Sequence, residues 1–293
     1  MNSPTMNTFQ KGADPDHPLE YPLQVVPKTG RIVNPTAGRN VYKVPEPTPT
    51  DSELFALQME DVLKVRSGPG WPEWLFDWYG IHPRPSSILQ NLLDRKDNFD
   101  SAAAMVRMDS PFELAQHCCA YANMLGVPLK STPDQHINFV GRNVDPLAIA
   151  SEAISRAPSA FFPVKYFFGV IRPEEWFGFN CTAYPEGCPK HPSDVAGHGT
   201  FAGATAYAIF SAYAFGESDS AFSAWREIIE TCVHWACYRT LAGVHRMEEN
   251  LRGFVLGWAC GGKTSYAKAF AELLPFFPAW AEIHSVAPGL ELP

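Results

Sequence analysis

His191-Pro192-Ser193-Asp194-Val195-Ala196-Gly197-His198-Gly199-Thr200-Phe201-Ala202-Gly203-Ala204 passes from loop chemistry to helix chemistry within a few residues. Gly197-His198-Gly199-Thr200 reads as a turn, and from about 199 to 214 the chain is Ala-rich and apolar. A helix approached through glycine presents unpaired backbone N–H groups and the positive end of its dipole. Such an end accepts an anion, and an imidazole at the same point exchanges protons near neutral pH. The plain alternative is a capping turn built on Thr200.

Helical patterns flank this stretch on both sides. Asp51-Ser52-Glu53 starts one before Leu54, Leu57, Val62 and Val65. Others are expected at 86–93, 101–108, 110–125 and 146–156, then at 199–214, 219–237, 242–258 and 263–274. Phe161 to Ile171 is apolar around Lys165 and is ended by Pro173. No segment alternates like a strand. Residues 1–50 are rich in Pro, Gly, Asn and Thr and read as an extended arm. Tyr21, Leu23, Val25, Val26, Tyr42 and Val44 imply that this arm lies across the domain or a partner subunit. The expected architecture is all-α: a helical bundle over 51–293 as one domain, preceded by the arm.

The net charge of −8 argues against nucleic acid as a partner. Any anion site is therefore a local positive island. Met1 to Pro18 is polar and has no signal-peptide pattern, and Gly199 to Gly216 is short and carries Thr, Tyr and Ser. A cytoplasmic protein without a membrane span is expected. Of seven cysteines, Cys118, Cys119, Cys232 and Cys237 sit in helical apolar contexts and read as reduced core residues. Cys181 and Cys188 flank a Tyr-Pro-Glu-Gly turn and are either bridged or free.

Two further stretches carry cations. Lys165 and Arg172 are seven apart, about 700° on a continuous helix, so both would share one face. Lys165 stands among Phe161, Phe162, Val164, Phe167 and Phe168, where an unpaired ammonium is costly. The alternative is a snorkelling lysine beside a surface arginine. Arg239 and His245 are six apart, with Gly243 suggesting a helix start between them. Glu249, one turn after His245, could hold the imidazole in one tautomer, and His191 could line the same pocket.

Lys-x6-Arg-Pro, then a Gly-His turn, then Arg-x5-His-x3-acid, resembles the superfamily of vanadium-dependent haloperoxidases, type 2 phosphatidic acid phosphatases and soluble bacterial acid phosphatases. The matching span is Lys165 to about Gly257. His191-Pro192 with Gly197-His198-Gly199-Thr200-Phe201-Ala202-Gly203-Ala204, and Ala242-Gly243-Val244-His245 with Asn250 and Gly253, look most like the haloperoxidase branch. The resemblance implies vanadate as cofactor, with His245 as its ligand. Lys165, Arg172, Arg239 and the turn at Ala196 and Gly197 would bind its oxygens. His198 would be the acid–base group, Lys165 would polarise peroxide, and Glu249 and His191 would stand behind. The implied partners are hydrogen peroxide, a halide and a small organic acceptor, with phosphate as competitor and a homo-oligomer as the assembled state. The pattern's Pro-Ser-Gly-His is Val195-Ala196-Gly197-His198 here, and its Asp is Glu249. The same cradle would serve a phosphomonoesterase that forms a phosphohistidine on His245. A non-catalytic member is the third reading.

Overall fold

The computed structural model describes residues 24–25, 32–33, 38–67, 72–89, 110–130, 145–178, 191–215 and 219–288. Its helices are α1 (Glu53–Ser67), α2 (Glu73–Trp78), α3 (Pro111–Met124), α4 (Pro146–Phe168), α5 (Pro173–Phe177), α6 (Gly197–Ala212), α7 (Asp219–Leu241), α8 (Met247–Gly261) and α9 (Tyr266–Leu273). A 3-10 segment follows at Pro278–Glu282. The all-α reading holds, with one small correction. Gln24–Val25 and Ile32–Val33 pair as a two-residue antiparallel ladder inside the stretch read as an arm. The helix expected at 101–108 and the pair Cys181 and Cys188 lie outside the described residues. Cys118, Cys119, Cys232 and Cys237 are buried free thiols. Among the described residues, no helix is long and apolar enough to cross a membrane.

Helices α6 and α8 form the centre, and α3, α4, α7 and α9 pack around them. Every residue of α8 and nearly all of α6 is buried, as befits helices enclosed on all sides. Their crossing depends on four glycines. A Cβ on Gly203 would lie 1.9 Å from the Phe254 carbonyl oxygen, and one on Gly257 would lie 2.0 Å from that of Thr200. At Gly199 and Gly253 the corresponding distances are 2.4 Å to Asn250 O and 2.4 Å to Ala196 O. The four-residue spacing puts each pair on one helix face, so the two backbones touch. That contact levels the N-termini of α6 and α8, where Ala196 N–H donates to Glu249 O at 3.0 Å.

Helix α4 departs from the expected pattern. The sequence pattern ends it at 156, with a separate apolar stretch beyond, yet it runs unbroken from Pro146 to Phe168 through Pro158 and Pro163. Each internal proline removes one helical hydrogen bond. The face made by Ile149, Ala153, Ala157, Ala160, Phe161 and Val164 is buried and holds the helix together across both. The segment before α1 covers the second proline: Arg39 N–H donates to Pro163 O at 3.0 Å.

Two spacing arguments fail in consequence. Lys165 and Arg172 do not share a helix face, because α4 stops at Phe168 and Gly169 turns left-handed at φ 62°. Arg172 instead caps α5. Likewise α7 continues past 237 to Leu241, Gly243 turns the chain at φ 78°, and α8 begins at Met247 rather than near 242.

Candidate functional site

The site grows from the loop between α7 and α8. His245 lies just before α8, buried, with Nδ1 3.0 Å from Glu249 Oε2. Burial lowers its pKa well below the usual value, and the charges of Arg172, Lys165, His198 and Arg239 push the same way. The ring is thus a neutral imidazole near pH 7. The acceptor at Nδ1 places the proton there, which leaves the Nε2 lone pair for a ligand or electrophile.

Glu249 is itself fixed. Its Oε2 accepts from Ser193 Oγ at 2.5 Å and from Arg246 N–H at 3.1 Å, and its Oε1 accepts from Arg246 Nε at 3.1 Å. Ser193 Oγ also stands 3.1 Å from His245 Nδ1. Arg246 reaches back to Gln58 of α1 and lies over the Phe55 ring. Neighbouring Glu248 accepts from Thr48 and from Gln58, the latter at 2.7 Å. The acid therefore cannot move away from the imidazole.

The cations sit across from this clamp. Lys165 is fully buried and donates to the carbonyls of Pro192 at 3.1 Å and Ser193 at 2.7 Å. Burial, then Arg172, holds its pKa well below the usual lysine value. Arg172 donates through Nε to His191 O at 2.8 Å and through NH1 to Val244 O at 3.1 Å. Its NH2 stands 3.0 Å from His191 Nδ1. Burial, Lys165 and Arg172 depress His191 well below its usual pKa, and because a guanidinium can only donate, the Nδ1 of the neutral ring accepts from it. A protonated lysine has three donors and an arginine five. After these bonds Lys165 retains one and Arg172 two.

Arg239 is buried in the last turn of α7. Ala196 caps α6 without a side-chain bond. The first bond of that helix is Thr200 N–H to Ala196 O at 3.1 Å, so the N–H groups of Gly197, His198 and Gly199 precede the ladder. His198 is half-buried, with Trp235 at 5.4 Å and Phe201 at 6.1 Å between ring centroids. A tetrahedral oxyanion fits this donor set. It would meet the remaining protons of Lys165 and Arg172, the α6 N–H groups and a neutral imidazole presenting Nε2.

The charges of Lys165, Arg172, Arg239 and His198 all act on His245. His191 stands behind Arg172, accepting from it through its carbonyl. Ser193, Arg246 and the pair Asp194–Arg252 were missed. Arg252 grips Asp194 through Nε at 2.9 Å and NH2 at 2.8 Å. The same guanidinium donates to Pro45 O and Ser285 O and so ties the 191–196 loop to the segment before α1 and to the segment after α9. Ser193 and Arg246 were visible as polar neighbours of named residues. The partners of Arg252 are too distant in sequence to be read.

Among solved structures the chain is similar to a bacterial vanadium-dependent iodoperoxidase, at 14% identity and a TM-score of 0.48. The alignment covers 89% of this chain and 61% of that protein, so the chain spans about three fifths of its length. No family model matches the chain, and no curated protein matches it.

Proposed function

We propose that the chain is an oxyanion enzyme of the vanadium-dependent haloperoxidase type, oxidising a halide with hydrogen peroxide. His245 Nε2 would hold vanadate, and Lys165, Arg172, Arg239 and the Gly197 N–H would bind its oxygens. Bound vanadate would supply Lewis acidity towards peroxide without changing oxidation state. The observation that carries this reading is the neutral, Nδ1-anchored His245 under the charges of Lys165, Arg172, His198 and Arg239. Glu249 keeps the imidazole in the ligating tautomer. The buried cations neutralise oxygen charge without having to reorganise. His198, half-buried, would move the proton. Trp235 and Phe201 limit water around its ring.

The test is metal analysis and peroxide-dependent bromination after incubation with orthovanadate. One vanadium per chain is expected, displaced by phosphate, because the cations recognise charge and tetrahedral oxygens. His245→Ala is expected to lose stoichiometric vanadate while staying helical by circular dichroism. Retention of tight vanadate binding in that variant overturns the assignment.

The neutral His245 with an acid behind it also suits a nucleophile, which supports phosphomonoester hydrolysis as the second reading. His245 Nε2 would attack phosphorus, and His198 would protonate the departing alkoxide. Trapping a phosphohistidine with an aryl phosphate, in protein that shows no bromination with vanadate, selects this reading over the first.

A further inference from the structure

The corner that carries Arg172 holds a second acid to which neither reading gives a role. Glu174 lies in the first turn of α5 and is 4% exposed. Its Oε1 stands 3.9 Å from Arg172 NH1, beyond hydrogen-bonding range, and among the described residues neither oxygen is hydrogen-bonded to another residue. Buried carboxylates ordinarily collect hydrogen bonds or a close counter-ion. Glu175 next to it has a structural task, accepting the Arg172 N–H at 3.4 Å. Glu174 has none. It faces the NH1 group that gives one proton to Val244 O and has its second available. The charges acting here are Arg172 and Glu175 on the same corner, Lys165 from α4 and Glu249 from α8.

We propose that Glu174 is a further ligand-facing group of this site: as a carboxylic acid it donates a hydrogen bond to an oxygen of the anion on Arg172, and as a carboxylate it competes with that anion for the guanidinium. The proposal rests on the reading that Lys165, Arg172, Arg239 and His245 hold an oxyanion. It adds a regulation of that site, in which anion affinity is set by the protonation of one side chain. Two physical facts support it. A protonated carboxyl is a donor, whereas an ionised one only accepts. Burial pushes Glu174 up to about 7, with Arg172 and its own N–H pulling down and Glu175 and Glu249 pushing up, so the change falls in the neutral range.

Inorganic sulfate is the probe, because it is tetrahedral and stays doubly charged across that range. Its affinity is measured by calorimetry at about pH 6 and about pH 8.5 for the wild type, Glu174→Gln and Glu174→Ala. Wild-type affinity is expected to fall about tenfold more steeply than that of either variant, one pKa unit of coupling. Glu174→Gln should keep the low-pH affinity, since its amide donates. Glu174→Ala should be equally flat and a few-fold weaker. Because Ala needs no polar partner, it carries the test if the glutamine is poorly accommodated. A purely structural role would lower the melting temperature and leave the slope unchanged. Sulfate binding with the wild-type slope in both variants overturns the proposal alone. A wild type that binds neither sulfate nor vanadate overturns the oxyanion reading as well.

Discussion

On the α6–α8 side of the site, Glu249 collects hydrogen bonds from Ser193, His245 and Arg246, and the two helix backbones touch through glycine. On the α4–α5 side, Lys165 and Arg172 lean on the carbonyls of Pro192, Ser193, His191 and Val244, and the Glu174 carboxylate stands 3.9 Å from the Arg172 guanidinium. The first side fixes position by satisfying its polar groups. The second holds buried positive charge whose nearby carboxylate is beyond hydrogen-bonding range, which is costly to bury and would be useful to a bound anion under the proposed reading. Rigidity and stored charge thus sit on different elements around His245, and substitutions on each should fail differently.

The largest effect is expected where the backbones touch. Gly203→Val puts carbon where the Phe254 carbonyl oxygen lies 1.9 Å from an ideal Cβ. The helices must separate, and with them Ala196 and Glu249. A loss of at least about 4 kcal/mol is expected, read by urea unfolding. A change under about 1 kcal/mol would show that the α6–α8 contact is not what levels the two loops.

Next comes the buried pair that anchors the loop. Arg252→Leu leaves Asp194 buried without its partner, and a loss of about 3–5 kcal/mol is expected. Adding Asp194→Leu should recover much of it, because the stranded charge causes most of the penalty. A double variant no more stable than Arg252→Leu would assign the effect instead to the bonds with Pro45 and Ser285.

On the charged side, substitution should stabilise. Glu174 is raised from its usual carboxylate range to about 7 by burial. Between those limits the folded protein binds a proton that the unfolded chain has released. Stability therefore falls as pH rises from about 4.5 to about 7 and stays low above. Glu174→Gln removes this term. The variant should equal the wild type at about pH 4 and exceed it by roughly 3 kcal/mol at about pH 8. Parallel pH–stability curves would show that Glu174 is not the group responsible.

The two sides also differ in how much of them the sequence shows. Glu249 stands one helical turn after His245, and that local spacing correctly predicts the contact. The meeting of Lys165 with Arg172 was inferred from helix periodicity, whereas Gly169 and the start of α5 bring it about. Tertiary burial carried α4 through two prolines that local rules treat as breaks. The four-residue glycine spacing at 199/203 and 253/257 is plain in the sequence, but its meaning depends on which helices face each other. Gln58 reaches Arg246 from 188 residues away, and Arg252 reaches Asp194 from 58, so neither contact leaves a periodic trace.

The smallest expected effect probes the junction of the two sides. Ala196 caps α6 with no side-chain bond, fully buried, next to the first N–H groups of that helix. In Ala196→Ser the added oxygen can accept a helix N–H, a cap worth about 1 kcal/mol, while its proton points to the anion. A slightly higher melting temperature and equal or tighter vanadate affinity are expected. Under the proposed reading the cations and the Gly197 N–H already bind the anion's oxygens, so one more donor adds to that set. A strongly destabilised variant would mean that the turn at 195–198 has no room for a hydroxyl. The roles given to Gly197 and His198 would then weaken, and Ala196 would mark a cradle that no longer turns over.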